Sequence, residues 1–347
     1  MLVNVQLLRF IAALAVVLYH AAPLWSAPPS WVTAFAAMGF SGVDVFFVIS
    51  GFILWHTTRD RRGSRAAAAF LTRRFARIFT GYWPFFAIAM ALWWWFAPHE
   101  LATKDWVRSL LLVPMPMDQR VIPVSWTLTY ELYFYLIFAA LLWLPLHIRF
   151  RVLCLLGSCV LFVAVALALH GGEGDNPSRS PRWLRPLVSP YLLEFLAGAL
   201  LCRMREAGIH RGGVQALIGS ATLFALGGWL NLEDGYALDG GAQVAQRVAI
   251  FGPAAAMLVY AGASLEARGY RFWPSASVLL GGASYSLYLA HPLLLAVFTW
   301  LGIGGVLPGG ETWIILAWLA VTLGYSVWHY RWLELPCYRA VRQRLRV

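Results

Sequence analysis

The sequence predicts an all-α, polytopic membrane helix bundle of about ten transmembrane helices, with both termini cytoplasmic. Three observations carry this. Of 347 residues, 60% are hydrophobic and only 12% charged, with 18 Trp among them. Apolar stretches repeatedly reach the length of ~20 residues that a helix needs to cross a bilayer. Basic residues gather between alternate stretches, as they do on the cytoplasmic side of a membrane. The stretches are continuous and rich in Leu, Ala, Val and Trp, which excludes the strict alternation of a membrane barrel.

In chain order, spans are expected near residues 7–25, 35–57, 78–97, 121–144, 152–170, 187–202, 213–230, 244–264, 278–301 and 312–332. An even number of crossings returns the chain to its starting side. With that side in the cytoplasm, twenty of the 27 basic residues lie inside, including Arg9, the run from Arg59 to Arg77, and the group from Arg331 to Arg346. The net charge of +11 is then a topology signal. No soluble basic domain is present to hold nucleic acid.

Arg9 before an apolar run with Ala21-Ala22 behind it resembles a signal peptide, but a buried charge and imidazole on one face would have no use in a discarded segment. The four cysteines, Cys154, Cys159, Cys202 and Cys337, show neither a disulfide framework nor metal-ligand spacing. Loops are short, so residues 1–335 read as one membrane domain followed by a basic cytoplasmic tail at 336–347. Residues 171–181, rich in Gly, Pro and Ser, read as an exposed outer loop. No internal repeat is apparent, which counts against a transporter built from two related halves.

Polar groups inside the spans mark the chemistry. Arg9 and His20 lie eleven residues apart in the first span, on one helix face and about 16 Å apart along the axis. Read singly, Arg9 marks the cytoplasmic edge and His20 the far interface; their shared face argues for a common intramembrane site. In the second span, Asp44 needs a cation or a hydrated cavity, and Ser50-Gly51 permits close helix approach beside a hydroxyl. At the entrance to the third, Arg73 and Arg77 are one turn apart with Arg74 between them, where guanidinium forks suit either phosphates or lipid headgroups.

In the fourth span, Glu131 must pair, protonate or face a cavity, and Tyr135 shares its face. Glu194 is likewise polar within the sixth. In the ninth, Ser284, Tyr288 and His291 at i, i+4 and i+7 form one stripe facing protein, whose members either act on a substrate or satisfy one another.

These segments together resemble the acyltransferase-3 family of integral membrane acyltransferases over nearly the whole chain. The resemblance rests on Arg9 with His20, on the run Gly42–Phe52, on Arg73-Arg74-Phe75-Ala76-Arg77-Ile78, on Ser125–Glu131 and on Ser284–Pro292. Leu192–Gly198 resembles the subgroup that modifies exopolysaccharides. Two departures stand out. Thr80-Gly81 occupies the place where the family often has Pro, and Glu334-Leu335-Pro336 lacks the basic residue usual between Glu and Pro. No esterase-like domain follows the tenth span, as in stand-alone members.

The resemblance implies an acyl-CoA-dependent O-acyltransferase of the bacterial inner membrane. It would move an acyl group, most simply acetyl from acetyl-CoA, onto a hydroxyl of an exported glycan or lipid-linked saccharide. Acyl-CoA would be a co-substrate, with no permanently bound cofactor, no metal, and membrane lipid as the surrounding partner. His20 would be the base, with a transient acyl-imidazole the less favoured option; Arg9 would be a donor-binding or relay group, and Asp44 and Glu131 carboxylates that position His20 or compensate Arg9. Arg73, Arg74 and Arg77 would grip coenzyme A phosphates, while Ser50, Tyr135, Ser284, Tyr288 and His291 would line the polar cavity. The alternative is a transporter or lipid or glycan flippase with buried charges along a translocation path. A second acyltransferase class, which pairs an intramembrane His with Asn, fits less well. The chain's only asparagines are Asn4, Asn176 and Asn231, none deep in an expected span.

Overall fold

The computed structural model describes residues 2–25, 28–169, 183–235, 237–239, 243–302 and 311–344. Its helices are α1 (Val3–Ala21), α2 (Ser30–Gly39), α3 (Gly42–Thr58), α4 (Ser64–Phe96), α5 (Pro98–Leu101), α6 (Trp106–Leu110), α7 (Trp126–Leu141) and α8 (Leu146–Leu169). They continue as α9 (Arg185–Val188), α10 (Tyr191–Glu206), α11 (Gly213–Glu233), α12 (Val244–Ala267), α13 (Pro274–Trp300), α14 (Glu311–His329) and α15 (Leu335–Arg344). No strand occurs among the described residues. The expected outer loop at 171–181 lies outside them.

Nine helical stretches among the described residues are long and apolar enough to cross a membrane. The sixth expected span corresponds to α10, whose 16 residues measure about 24 Å against a hydrocarbon core of about 30 Å. Burial compensates for its length: Leu192, Phe195, Ala199 and Cys202 are all buried. Two glycines bring α10 against α3. A Cβ on Gly51 would sit 1.9 Å from the carbonyl oxygen of Phe195, and one on Gly198 would sit 1.9 Å from that of Val48. Close backbone approach through small residues is how membrane helices pack where no hydrophobic force drives them together.

The same device fixes α1 at the centre. A Cβ on Gly42 of α3 would lie 2.2 Å from the Ala12 carbonyl oxygen, and one on Gly281 of α13 would lie 2.3 Å from that of Gln6. The helix carrying Arg9 and His20 is thereby gripped from two sides.

The third helix begins earlier than its apolar pattern suggests. Strong helix formers from Ser64 onward (Ala66 to Ala69, then Leu71) extend α4 to 33 residues, so Arg73, Arg74 and Arg77 stand on its first half. The basic tail is also helical. After α14 a π-turn over Tyr330–Glu334 leads into α15, whose Tyr338 and Arg342 line one cavity with Arg73, Arg74 and Arg77.

Contacts sort the connections onto two faces. On one, Arg59 pairs with Glu206 at 3.0 Å, the Val3 amide donates to Glu266, and the Asn4 amide donates to the Tyr270 carbonyl. On the other, Tyr19 donates to Asp239, Trp25 to Thr312 and Trp93 to the Val121 carbonyl. The first face, holding the start of α1 and the end of α15, is the arginine-rich one, as an even number of crossings requires.

Candidate functional site

A cavity of about 420 Å³ opens among the arginines of that face and runs inward between α1, α3, α4, α7 and α13. Arg61, Arg73, Arg74 and Arg342 stand along it, with Arg9, Ser50, Glu131, Tyr135 and Tyr288 further along the wall. The structure thus gathers eight of the expected site residues, Arg77 included, around one space.

Arg74 donates to the Thr57 hydroxyl at 3.0 Å and lies over the rings of Phe70 and Tyr135. Arg77 is held differently: it pairs with the buried Glu334 and lies between the rings of Tyr285 and Tyr338. Glu334 in turn accepts from Ser286 at 2.5 Å, whose oxygen is 3.0 Å from His329 Nδ1. Arg77 therefore lines the cavity with its charge already matched by Glu334. The cations gathered at the mouth are Arg73 with Arg61 and Arg342, and the last two come from segments that helical spacing does not link to it.

Arg9 is enclosed with Gln6 at 3.3 Å. Glu131 and Glu334 are the carboxylates whose charges reach it, and Arg77 opposes them. Glu131 accepts from Tyr135 and from Ser50 at 3.4 Å. Of the two carboxylates proposed to compensate Arg9, Glu131 is the one placed to do so.

Asp44 does something else. It is fully buried and forked by Arg247, with Nη2 at 2.6 Å and Nε at 3.2 Å from both oxygens. Arg247 also donates to the Phe40 carbonyl and covers the Phe40 ring. Asp44 touches neither His20 nor Arg9, because a desolvated carboxylate takes the guanidinium within reach. Arg247 lay inside an expected span, and the rule that drew attention to Asp44 applied equally to it.

Ser284 also departs from expectation. It is fully buried and donates to the Gly281 carbonyl of its own helix at 2.8 Å, so it belongs to α13 and not to the cavity wall. Tyr288 does line the cavity, donating to the Val124 carbonyl and accepting from Thr127.

His20 lies outside this cavity, three turns beyond Arg9. Tyr288 links the two places: its ring centroid is 5.8 Å from that of His291, which is 5.0 Å from that of His20. His20 Nδ1 lies 2.9 Å from the Val16 carbonyl oxygen, and His291 Nδ1 lies 3.2 Å from that of Leu287. A carbonyl only accepts, so Nδ1 carries the proton in each ring and Nε2 keeps its lone pair. His291 Nε2 is buried without a hydrogen-bond partner. Pro292, the next residue, deprives the Tyr288 carbonyl of its helical donor and loosens α13 at this point.

Asn231 is a structural residue: it donates to the Ala37 carbonyl and accepts from the Leu238 amide. On the arginine-rich face His56, Cys202 and Glu206 bring three potential ligand atoms within 4.8 Å of one another. The sequence spacing did not reveal this group, in which Glu206 is already held by Arg59.

Comparison with known proteins identifies the family. The chain is 34% identical over 314 residues to the exopolysaccharide production protein ExoZ of Rhizobium meliloti (strain 1021), covering 88% of this chain and 92% of that one. It is 29% identical over 371 aligned positions to the acyltransferase MdmB of Streptomyces mycarofaciens, covering 97% and 92%. No solved structure matches. The acyltransferase domain of the acyltransferase-3 family matches residues 2–331, and the chain therefore belongs to that family of integral membrane acyltransferases.

Proposed function

We propose that this protein transfers an acyl group, most simply acetyl, from acyl-CoA arriving at the arginine-rich face to a hydroxyl of a glycan on the opposite face. The membrane would be the bacterial inner membrane, with the arginine-rich face in the cytoplasm. The carrying observation is the cavity that starts among Arg61, Arg73 and Arg342 and ends at Tyr288, two ring contacts from His20. Clustered guanidinium groups suit the phosphates of coenzyme A, and the apolar wall of Val43, Phe46 and Ile53 suits its pantetheine arm. The name of the ExoZ relative supports an exopolysaccharide acceptor.

In this reading Arg9 and Glu131 hold the polar part of the arm, since Arg9 is too far from His20 for both to touch one carbonyl carbon. The acceptor hydroxyl loses its proton to His20 Nε2 as its oxygen bonds to the thioester carbon. The carbon–sulfur bond then breaks, and the proton passes from His20 to the departing thiolate. Ester and free thiol are the products. Val16 fixes the ring so that the basic nitrogen is the one left free.

Membrane vesicles of both orientations, given radiolabelled acetyl-CoA, test the reading. Label should enter glycan only when donor reaches the arginine-rich face. Labelling from the opposite face alone would contradict it.

A further inference from the structure

On the face opposite the arginine cluster, a second pocket of about 290 Å³ lies between α7, α10, α12 and the loop before α7. Its walls include Trp126, Tyr130 and Tyr191. These three rings pack on one another with centroids 5.5 Å apart in every pairing, a preformed apolar surface of the kind on which sugar rings lay their C–H faces. Asp239 stands in the same pocket and accepts from Tyr19, whose ring is 4.8 Å from that of His20. The pocket is therefore linked to the proposed base by two contacts, through Asp239 and Tyr19.

Arg120 also lines it. Its side chain is 2% exposed, and its Nε and Nη1 have no hydrogen-bond partner. No carboxylate among the described residues pairs with it. Arg247, by contrast, is matched by Asp44. A buried guanidinium without a counter-ion is costly, and an anionic ligand would remove that cost.

The position of Arg120 is also built. The Val121 amide donates to Ser109 at 3.1 Å, the Val121 carbonyl accepts from Trp93 at 2.9 Å, and the Asp105 amide donates to the Gln119 carbonyl at 2.9 Å. Both neighbours of Arg120 are thus pinned. The Thr129 hydroxyl, buried and unpartnered, adds a polar group to the same wall.

We infer that this pocket is the acceptor subsite and that it selects saccharides carrying an oxyanion, a carboxylate or phosphate, which Arg120 binds while the aromatic triad holds the sugar ring. The inference rests on the proposed glycan acylation and adds the charge class of the acceptor. Each group has a place in it: Arg120 for the anion, the triad for the ring, and Asp239 at the His20 end for a hydroxyl.

The test uses full-length protein in detergent and three probes, namely cellobiose, cellobiouronic acid and cellobiose 1-phosphate, with binding read by saturation-transfer NMR titration. Wild type should bind at least one anionic probe about 10-fold or more tightly than cellobiose, the effect of charge-assisted hydrogen bonds. Arg120→Gln should erase that preference while coenzyme A binding in the other cavity stays at the wild-type level. Which anionic probe wins identifies carboxylate or phosphate. If Arg120→Gln loses coenzyme A binding through misfolding, Arg120→Lys serves: a reduced but persistent anionic preference is expected.

Equal binding of neutral and anionic probes, or a preference that survives in Arg120→Gln, would overturn the inference. Acylation of neutral glycan by such a protein would leave the proposed function standing. Acyl transfer with no saccharide bound at all would sink the glycan reading itself.

Discussion

The imidazole rings of His20 and His291 stand 5.0 Å apart in the membrane interior, and each has its Nδ1 turned to the carbonyl four residues earlier. Two basic Nε2 nitrogens are thereby presented in one small space. Adding a further proton to both would set like charges side by side in a low-dielectric interior, so protonating one Nε2 opposes protonating the other. A base that accepts a proton from the acceptor and returns it to the thiolate needs that single-proton behaviour.

His291→Gln should therefore slow acyl transfer while leaving donor binding unchanged, by about 10-fold or more if it helps carry the proton. Single-turnover kinetics alongside coenzyme A titration separate the two effects. An undiminished rate would make His291 a packing residue for His20.

At the cavity mouth, Arg73→Gln combined with Arg61→Gln should weaken coenzyme A binding by about 10-fold or more, the worth of lost charge-assisted contacts. Calorimetric titration with coenzyme A and its 3′-dephospho form is the check. The wild type should favour the phosphorylated ligand and the double variant should discriminate less. Equal discrimination by both proteins would make these arginines headgroup anchors.

Asp44→Ala should lower the yield of folded protein, because a buried Arg247 left without its partner costs about 3–5 kcal/mol. Replacing both, Asp44→Leu with Arg247→Met, should recover part of the loss. Size-exclusion profiles of detergent-solubilised protein report the outcome; a well-folded, inactive Asp44→Ala protein would instead return Asp44 to the catalytic apparatus.

Gly198→Ala should destabilise the bundle by roughly 1–3 kcal/mol or more, since its new Cβ would meet the Val48 carbonyl oxygen at 1.9 Å. Thermal unfolding in detergent should show a lowered midpoint. An unchanged midpoint would mean that α3 and α10 separate at little cost.

Hydropathy was enough to find most of the spans, though not where the third begins, because a hydrocarbon slab demands long apolar helices whatever their tertiary partners. Local polar spacing was legible too: Glu131 with Tyr135 at i, i+4 became a hydrogen bond, and Tyr288 with His291 became a ring contact. Long-range partners were not legible. Arg247 is 203 residues from Asp44, and Glu334 is 257 residues from Arg77; no periodicity joins such pairs. Ser284 shows a different limit, since spacing placed it on the right stripe while its hydroxyl satisfied its own helix. The short α10 was recognisable as a span only approximately, because burial by its neighbours, rather than length, makes it stable.

The role of His20 as the base between the two faces is tested most directly by reconstituting wild-type and His20→Gln proteins in liposomes, then supplying labelled acetyl-CoA and unacylated glycan from cells lacking the chain. Wild type should transfer label to glycan and release free coenzyme A in equal amounts. His20→Gln should bind coenzyme A normally yet transfer label at least about 100-fold more slowly, the contribution of a positioned general base. A normally inserted His20→Gln protein that acylates glycan at the wild-type rate would contradict the account.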